Sequence, residues 1–442
     1  MVFQSGNKIL TLQSFSVYNQ TPQELIINPG QFVELLNSGN AYSLINQTTN
    51  YKKFYTNNYV GFTKKKGAFS FEPKIGLQLE TQILNSTIKI DDSTLNTNFS
   101  NNLNLLKAKG YLSILSQYKF NKWRVELNTP INYYNIMRNN DLLGISRVVF
   151  EPKINLIFDV SPLLKFYTGY NRSNRFGDIS NLYNGYILTN YRNIQRFITD
   201  IPETSNNSFN FGVNYKNTLS AIFGNLNYTY TQTRQNLIFN TKINTNGTAE
   251  VESLVRNNFN YSQNFSSRVG KYFSYIKTNL SIGGTISKTE YQQILNNSIT
   301  SIKLNSQSIN LKLNTDFTDW IGTEYLSDFS FTNNSLNNIT AQIVNFQSYA
   351  VSINIYPAKR HYLAFKTDYY RNNLFQGKSS NVFSDFSYRY TTNKKKIDFE
   401  IVWNNIFNVN DFQTLNINSF VTTQTNFRLR PTQILLKTRF SF

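Results

Sequence analysis

The chain has 442 residues, a net charge of +19 and no cysteine, so disulfides and thiolate chemistry are excluded. Aromatic residues make up 15%, which excludes a disordered chain, whose composition is poor in them. No run of about 18 apolar residues occurs, so a transmembrane helix is excluded as well. Asn, Ser and Thr are abundant while Ala and Met are scarce, which favours strands and loops over helices.

The chain opens on Met1-Val2-Phe3-Gln4-Ser5-Gly6-Asn7-Lys8. That start holds no charged segment followed by an apolar run of about 7–15 residues, so it is not a signal peptide. The expectation is a single domain, 1–442, that is a C-terminal fragment of a longer chain lacking its export signal.

Alternation with a period of two then recurs along the chain. It predicts strands near 8–18, 54–62, 68–80, 110–119, 122–134, 147–160, 165–174, 208–215 and 219–232. Further strands are predicted near 257–267, 275–288, 308–318, 324–333, 347–356, 361–371, 382–391, 397–407 and 433–442. Successive side chains of a strand point to opposite faces. Phe69, Phe71, Pro73, Ile75, Leu77 and Leu79 therefore oppose Ser70, Glu72, Lys74, Gly76, Gln78 and Glu80. Phe150, Pro152, Ile154, Leu156 and Phe158 oppose Glu151, Lys153, Asn155 and Asp159. Ile309, Leu311, Leu313 and Phe317 oppose Asn310, Lys312, Asn314 and Asp316; Ile397, Phe399, Ile401 and Trp403 oppose Asp398, Glu400 and Asn404.

Connections alternate in length. Short ones are 63–67, 161–164, 216–218, 357–360 and 392–396; long ones are 19–53, 81–109, 175–207, 233–256 and 289–307. Charged polar faces and this parity fit an all-β, antiparallel, up-and-down transmembrane β-barrel of about eighteen strands, with lipid outside and water inside. A soluble sandwich has no reason to keep such parity. The parity also puts both termini on the periplasmic side. The pentapeptide Phe-Glu-Pro-Lys-Ile occurs at 71–75 and 150–154, on strands expected to run in opposite directions. Each proline removes a ladder donor, so a bulge or a missing bond is expected there.

The last strand ends in Arg439-Phe440-Ser441-Phe442, with Ile434, Leu436, Phe440 and Phe442 on one face. Phe440 and Phe442 resemble the C-terminal signal read by the barrel-assembly machinery of outer membranes. The segments Asn426 to Leu436, Trp403 to Asn410, Tyr167 to Asn174, and Gly39 to Phe62 resemble TonB-dependent receptors, in particular large ones with a carboxypeptidase-like regulatory domain. The resemblance covers most of the chain through loose patterns. It implies the C-terminal part of a barrel of about 22 strands, with the plug and the first four strands preceding it. It implies ligand uptake without covalent chemistry, in a bacterial outer membrane. The partners implied are outer-membrane lipid, the barrel-assembly machinery, the TonB complex acting through a plug, and a surface lipoprotein.

Other chemistry finds little support. His361 is the single histidine, so neither a histidine metal site nor a His-based triad can be built; beside Lys359-Arg360 it reads as a solvated turn residue. Asp91-Asp92 matches no calcium-loop spacing and reads as solvated loop. No phosphate loop or nucleophile elbow occurs, and no cofactor or metal is expected. Lysines and arginines among aromatics are compatible with nucleic-acid binding, but they are scattered, and Lys64-Lys65-Lys66 and Lys394-Lys395-Lys396 fall in short turns, so no nucleic acid is expected. The loop Asn181-Leu182-Tyr183-Asn184-Gly185-Tyr186 has the composition of a stacking surface for sugars or peptides, although the same composition pervades the chain. A passive porin of about eighteen strands and a surface β-rich adhesin are the alternatives to a receptor. The ligand and its binding residues are not legible.

Overall fold

The computed structural model describes residues 1–6, 8–28, 30–139, 144–340, 343–373, 380–392, 397–417 and 422–440. Strands run in the order β1 (Val2–Ser5), β2 (Lys8–Ile27), β3 (Ile45–Lys66), β4 (Phe69–Ile90), β5 (Ser93–Thr94), β6 (Ser100–Phe120), β7 (Trp123–Asn128), β8 (Ile131–Arg138) and β9 (Ile145–Phe150). Next come β10 (Lys153–Asp159), β11 (Leu164–Phe176), β12 (Ile187–Asn190), β13 (Asn193–Arg196), β14 (Glu203–Asn217), β15 (Ile222–Ile243), β16 (Ala249–Phe273), β17 (Thr278–Leu295) and β18 (Ser298–Thr318). The rest are β19 (Ile321–Leu336), β20 (Ile339–Thr340), β21 (Val344–Ala358), β22 (His361–Asn372), β23 (Ser380–Thr391), β24 (Ile397–Asn404), β25 (Asp411–Ile417), β26 (Thr422–Arg428) and β27 (Gln433–Phe440). One short helix, α1 (Val33–Asn37), joins β2 to β3.

Neighbours in sequence pair antiparallel to build one long wall. Its members are β2, β3, β4, β6, β7 continued by β8, β9 continued by β10, β11, β14 to β19, β21 to β24, and β27. These are the eighteen segments expected from alternation, in the expected order. The wall is not seen closed: among the described residues β27 pairs with β24 alone, and β2 is flanked on its far side by β1 alone.

The strands are longer than the alternation indicated. A tilted strand crosses a bilayer in about 9–11 residues, yet β15 has 22 and β16 has 25. The surplus lies at the end with the longer connections. There part of the inner face is covered by an infolded connection and no single rule holds along each face, so side chains lose the apolar–polar rhythm while backbone pairing continues. Three expected long loops are therefore mostly strand. The expected loop 289–307 is a hairpin closed by Asn296 and Asn297, both with positive φ (46° and 65°). Asp91-Asp92 and Asn337-Asn338 close hairpins the same way. Two adjacent positive φ values define the type I′ turn, which suits the right-handed twist of strands and favours Asn and Asp.

Prolines interrupt the wall as their missing donors require. The β3–β4 ladder has no pairing opposite Pro73, between Gly61↔Lys74 and Lys64↔Phe71. Pro152 separates β9 from β10, and Pro130 separates β7 from β8. The two copies of the pentapeptide lie on strands of opposite direction, at the start of β4 and across the β9–β10 break. Pro22 lies on β2 above the stretch that β1 covers, an edge where no donor is demanded.

Alternation resolves into two faces. One carries exposed apolar groups such as Ile75, Leu77, Phe209, Phe211, Ile282, Ile309 and Ile401. The opposite face carries the charges. Lys437 lies opposite Glu400, Arg439 opposite Asp398, and Glu400 opposite Arg389 on its other side.

Candidate functional site: the polar inner face and its infolded roof

Charged and aromatic groups meet on the inner faces of β3, β4, β6 and β8. Glu80 accepts ion pairs from Lys53 at 3.0 Å and Lys107 at 3.4 Å, and Gln82 also bonds to it. Cross-strand neighbours are in register here: Tyr55 lies opposite Glu80, and Glu80 opposite Lys107. Lys109 rests over the rings of Tyr111 (5.7 Å) and Tyr134 (5.2 Å), and Tyr111 donates to Asn57 at 3.1 Å. Of these, Tyr55, Glu80, Lys107, Lys109 and Tyr134 line a recess of about 190 Å³. It can hold anionic or planar polar groups by ion pairing, hydrogen bonding and ring contact. It assembles no nucleophile with an adjacent base.

Above Glu80 the inner face of β4 turns apolar. Leu84, Ile88 and Ile90 are buried, as are Leu103 and Leu105 on β6, Ile136 on β8 and Ile45 on β3. What covers them is the connection between β11 and β14. It folds inward and buries Ile179, Leu182, Tyr183, Ile187, Leu188, Ile194, Phe197 and Ile201. The connection carrying α1 adds Phe32 and Leu36 to the same layer. A fully buried Leu or Ile contributes about 1.5–3 kcal/mol, so apolar packing holds this roof in place.

Polar side chains set its register. Gln47 donates to the Leu188 carbonyl (2.9 Å) and accepts from the Leu188 amide (2.7 Å). Asn101 does the same with Gly185, at 3.0 and 2.8 Å. Gln82 accepts from the Ile179 amide at 3.0 Å. Gly185 approaches the Ser100 backbone so closely that a Cβ there would overlap it. On its far side the roof adds β13 to β16 in parallel, Asn193↔Ala249 through Arg196↔Glu252. Glu252 accepts from Tyr186 at 3.0 Å and pairs with Arg196 at 2.6 Å, while the Arg196 guanidinium lies 4.4 Å from the Tyr186 ring centre. The roof thus reaches from β3, β4 and β6 across to β16. Burial, and then the Glu252 carboxylate, push the Tyr186 hydroxyl well above the usual phenol range, so it stays a donor.

Several sequence expectations change at this point. Tyr183 and Tyr186 are 3% and 5% exposed, so the loop 181–186 offers no stacking surface; the rings pack inward because apolar positions follow one another through 179–201. His361 is a strand residue whose Nδ1 lies 2.8 Å from the Tyr388 hydroxyl and whose ring packs on Tyr390, not a solvated turn residue. Asp91 and Asp92 are exposed in a turn, as expected, and the Asp91 carboxylate accepts from the Ser43 and Leu44 amides. Lys64, Lys65 and Lys66 finish β3 instead of forming the turn, and Lys394 to Lys396 lie outside the described residues. Phe440 is exposed on β27, opposite Ile397; Phe442 lies outside the described residues. The Glu80 cluster and the roof were missed by sequence reading.

No family model and no curated protein matches the sequence. Solved structures do match. The ferripyoverdine receptor of the outer membrane of Pseudomonas aeruginosa, with ferripyoverdine bound, superposes with a TM-score of 0.51 at 11% identity, over 98% of this chain and 54% of that one. BauA, the ferric preacinetobactin receptor from Acinetobacter baumannii, gives 0.51 at 10% identity, over 87% of this chain and 59% of that one. The complex of FpvAI with pyocin S2 gives 0.51 at 10% identity, over 99% and 53%. The chain spans little more than half the length of these receptors. It carries the fold of an outer-membrane receptor β-barrel.

Proposed function

We propose that the chain is barrel wall from a TonB-dependent receptor of a bacterial outer membrane, taking up a ligand whose identity stays open and catalysing no covalent reaction. The observation that carries this reading is the wall itself: apolar outside, charged inside, and alike in fold to two siderophore receptors over nearly its whole length. Lipid surrounds the apolar face, and the barrel-assembly machinery reads the Phe440 and Phe442 end. The TonB complex acts through a plug encoded outside these residues. A carboxypeptidase-like domain and a surface lipoprotein rest only on the sequence resemblance of the last strands.

The wall is completed by further strands. β1 meets β2 in a hairpin at the short-turn end, and the ladder continues to Met1, whose amine donates to the Leu12 carbonyl at 2.7 Å. Beyond Leu12 the outward edge of β2 has no strand beside it among the described residues. Unpaired backbone in hydrocarbon costs several kcal/mol per group. A preceding strand entering through β1 satisfies that edge and leads toward the about 22 strands of plugged transporters.

The test compares the full-length protein in cells with these 442 residues in planar bilayers. Uptake that depends on the TonB complex, together with absent or irregular conductance of the isolated residues, supports the receptor. A stable pore of uniform conductance from the 442 residues alone replaces it with the porin, which the eighteen complete wall strands favour. Solubility without detergent replaces both with the adhesin.

A further inference from the structure

The wall has a seam. β10 pairs with β11 up to Lys153↔Asn171, but above Pro152 that partnership ends. β9 pairs with β8 alone, and the upper part of β11 with β14 alone. The last backbone-to-backbone link is the Arg172 amide donating to the Pro152 carbonyl at 3.0 Å, and above it the Asn174 amide donates to the Glu151 carboxylate. Between the separated strands lies a cavity of about 450 Å³.

Its position is set by the outward faces of its walls. Going up β11, β14 and β15, outward residues change from Tyr170, Phe209 and Tyr230 to Arg172, Asn207 and Gln232. This is the upper margin of the apolar band, where aromatics give way to polar groups. The cavity lies at this level, lined by the exposed Val148 and Phe259 and, more deeply, by Val149 and Phe176 of the roof core.

Its charge is unbalanced. Arg147, Arg172 and Arg234 line it with a single carboxylate, Glu203, which pairs with Arg147 at 3.3 Å. Arg234 donates to the side-chain Oδ1 of Asn257 at 3.4 Å. Among the described residues no carboxylate lies within ion-pair distance of Arg172 or Arg234. The adjoining recess shares Arg147 and Glu203 and adds Arg138 and Asp200, one further charge of each sign. Asn174 also lines the cavity, and its Nδ2 is shielded from solvent without an acceptor. A guanidinium fork matches phosphate oxygens in pairs.

We infer that this seam binds the phosphate of a lipid headgroup in the leaflet surrounding the loop end of the barrel, with Arg172 and Arg234 as charge partners and Asn174 as a further donor. The headgroup enters from the side, and its acyl chains remain along Tyr170 and Phe209 beneath. The inference rests on the membrane reading above. Basic groups at a membrane surface attract anionic lipid through this same electrostatics.

The full-length protein, extracted from membranes in detergent, is titrated with bis-phosphorylated lipid A, with fully dephosphorylated lipid A and with inorganic phosphate. The phosphorylated lipid binds about tenfold or more tightly than the dephosphorylated one, two cations being engaged. Arg172→Gln combined with Arg234→Gln removes that preference, while Lys288→Gln, an exposed cation on β17, leaves it unchanged. Heat-modifiable mobility on a gel confirms that each variant is folded. Equal binding of both lipids by the wild type, or an unchanged preference in the double variant, overturns the site. Full displacement by inorganic phosphate at equal concentration also overturns it, in favour of a free-anion site. Wild-type protein that needs no detergent sinks the membrane reading and the site together, whereas a detergent-dependent protein without the preference sinks the site alone.

Discussion

Gln47 and Leu188 exchange two hydrogen bonds although 141 positions separate them in sequence. The Gln47 side chain extends the pairing of β12, which meets β13 on its other edge, and so sets the register of the roof on the inner wall.

Removing that latch leaves the Leu188 amide and carbonyl buried without partners, at a cost of about 1–3 kcal/mol per group. Gln47→Ala is expected to make the 179–196 stretch cleavable by added protease while the wall keeps its heat-modifiable mobility. Gly185→Ala, which pushes against the Ser100 backbone, is expected to do the same. Protection as in the wild type would mean that apolar packing alone fixes the roof.

The two faces of the wall should differ in tolerance. Leu311→Arg or Ile401→Arg is expected to cost about 2–4 kcal/mol at mid-bilayer depth, while Asn314→Arg is nearly neutral. Unfolding of the three variants by denaturant in lipid vesicles measures the difference. Equal costs would reverse or abolish the assignment of faces.

The last strand is expected to act in assembly. Phe440→Ala or Phe442→Ala should lower the amount of folded protein in the membrane, while molecules that do fold keep their ligand affinity. Quantifying the heat-modifiable fraction checks this, and a normal level counts against it.

Tyr42 supplies a pH test on a loop outside the bilayer. Its hydroxyl donates to the Gln31 carbonyl, and burial, followed by the Asp91 charge, raises its pKa from 10.0 to about 12. A raised phenol favours the fold in full below pH 10.0, and that contribution is lost as the pH climbs toward about 12. The ultraviolet phenolate difference between wild type and Tyr42→Phe should show one tyrosine ionising near the upper value. Ionisation at the ordinary value would mean the hydroxyl is not held in this environment.

The wall was legible because a bilayer imposes one rule on every strand, and residues such as Ile309, Leu311 and Leu313 obey it. Strand ends were not, because above the lipid the rule lapses: Asn236, Asn240 and Thr241 continue β15 with no rhythm to mark them. The Glu80 cluster depends on which strands become neighbours, so spacing along the chain does not reveal Lys53 and Lys107 as its partners. The roof left one sign. Leu84, Ile88 and Ile90 place apolar groups on the face that Glu80 and Lys74 mark as polar, and such a reversal calls for a cover.

That cover also constrains the order in which the molecule can form. Hairpins of the wall need only adjacent sequence, but the roof needs β3, β4 and β6 on one side and Glu252 of β16 on the other. Contacts so distant along the chain close late. Until β16 is in place, the roof rests on the earlier strands alone and its far side lacks the partners that Ala249 to Glu252 supply, so a partly assembled wall carries a half-attached apolar flap at its mouth. The interval between β11 and β16 is therefore the stretch of assembly most exposed to aggregation, and the most dependent on a chaperone.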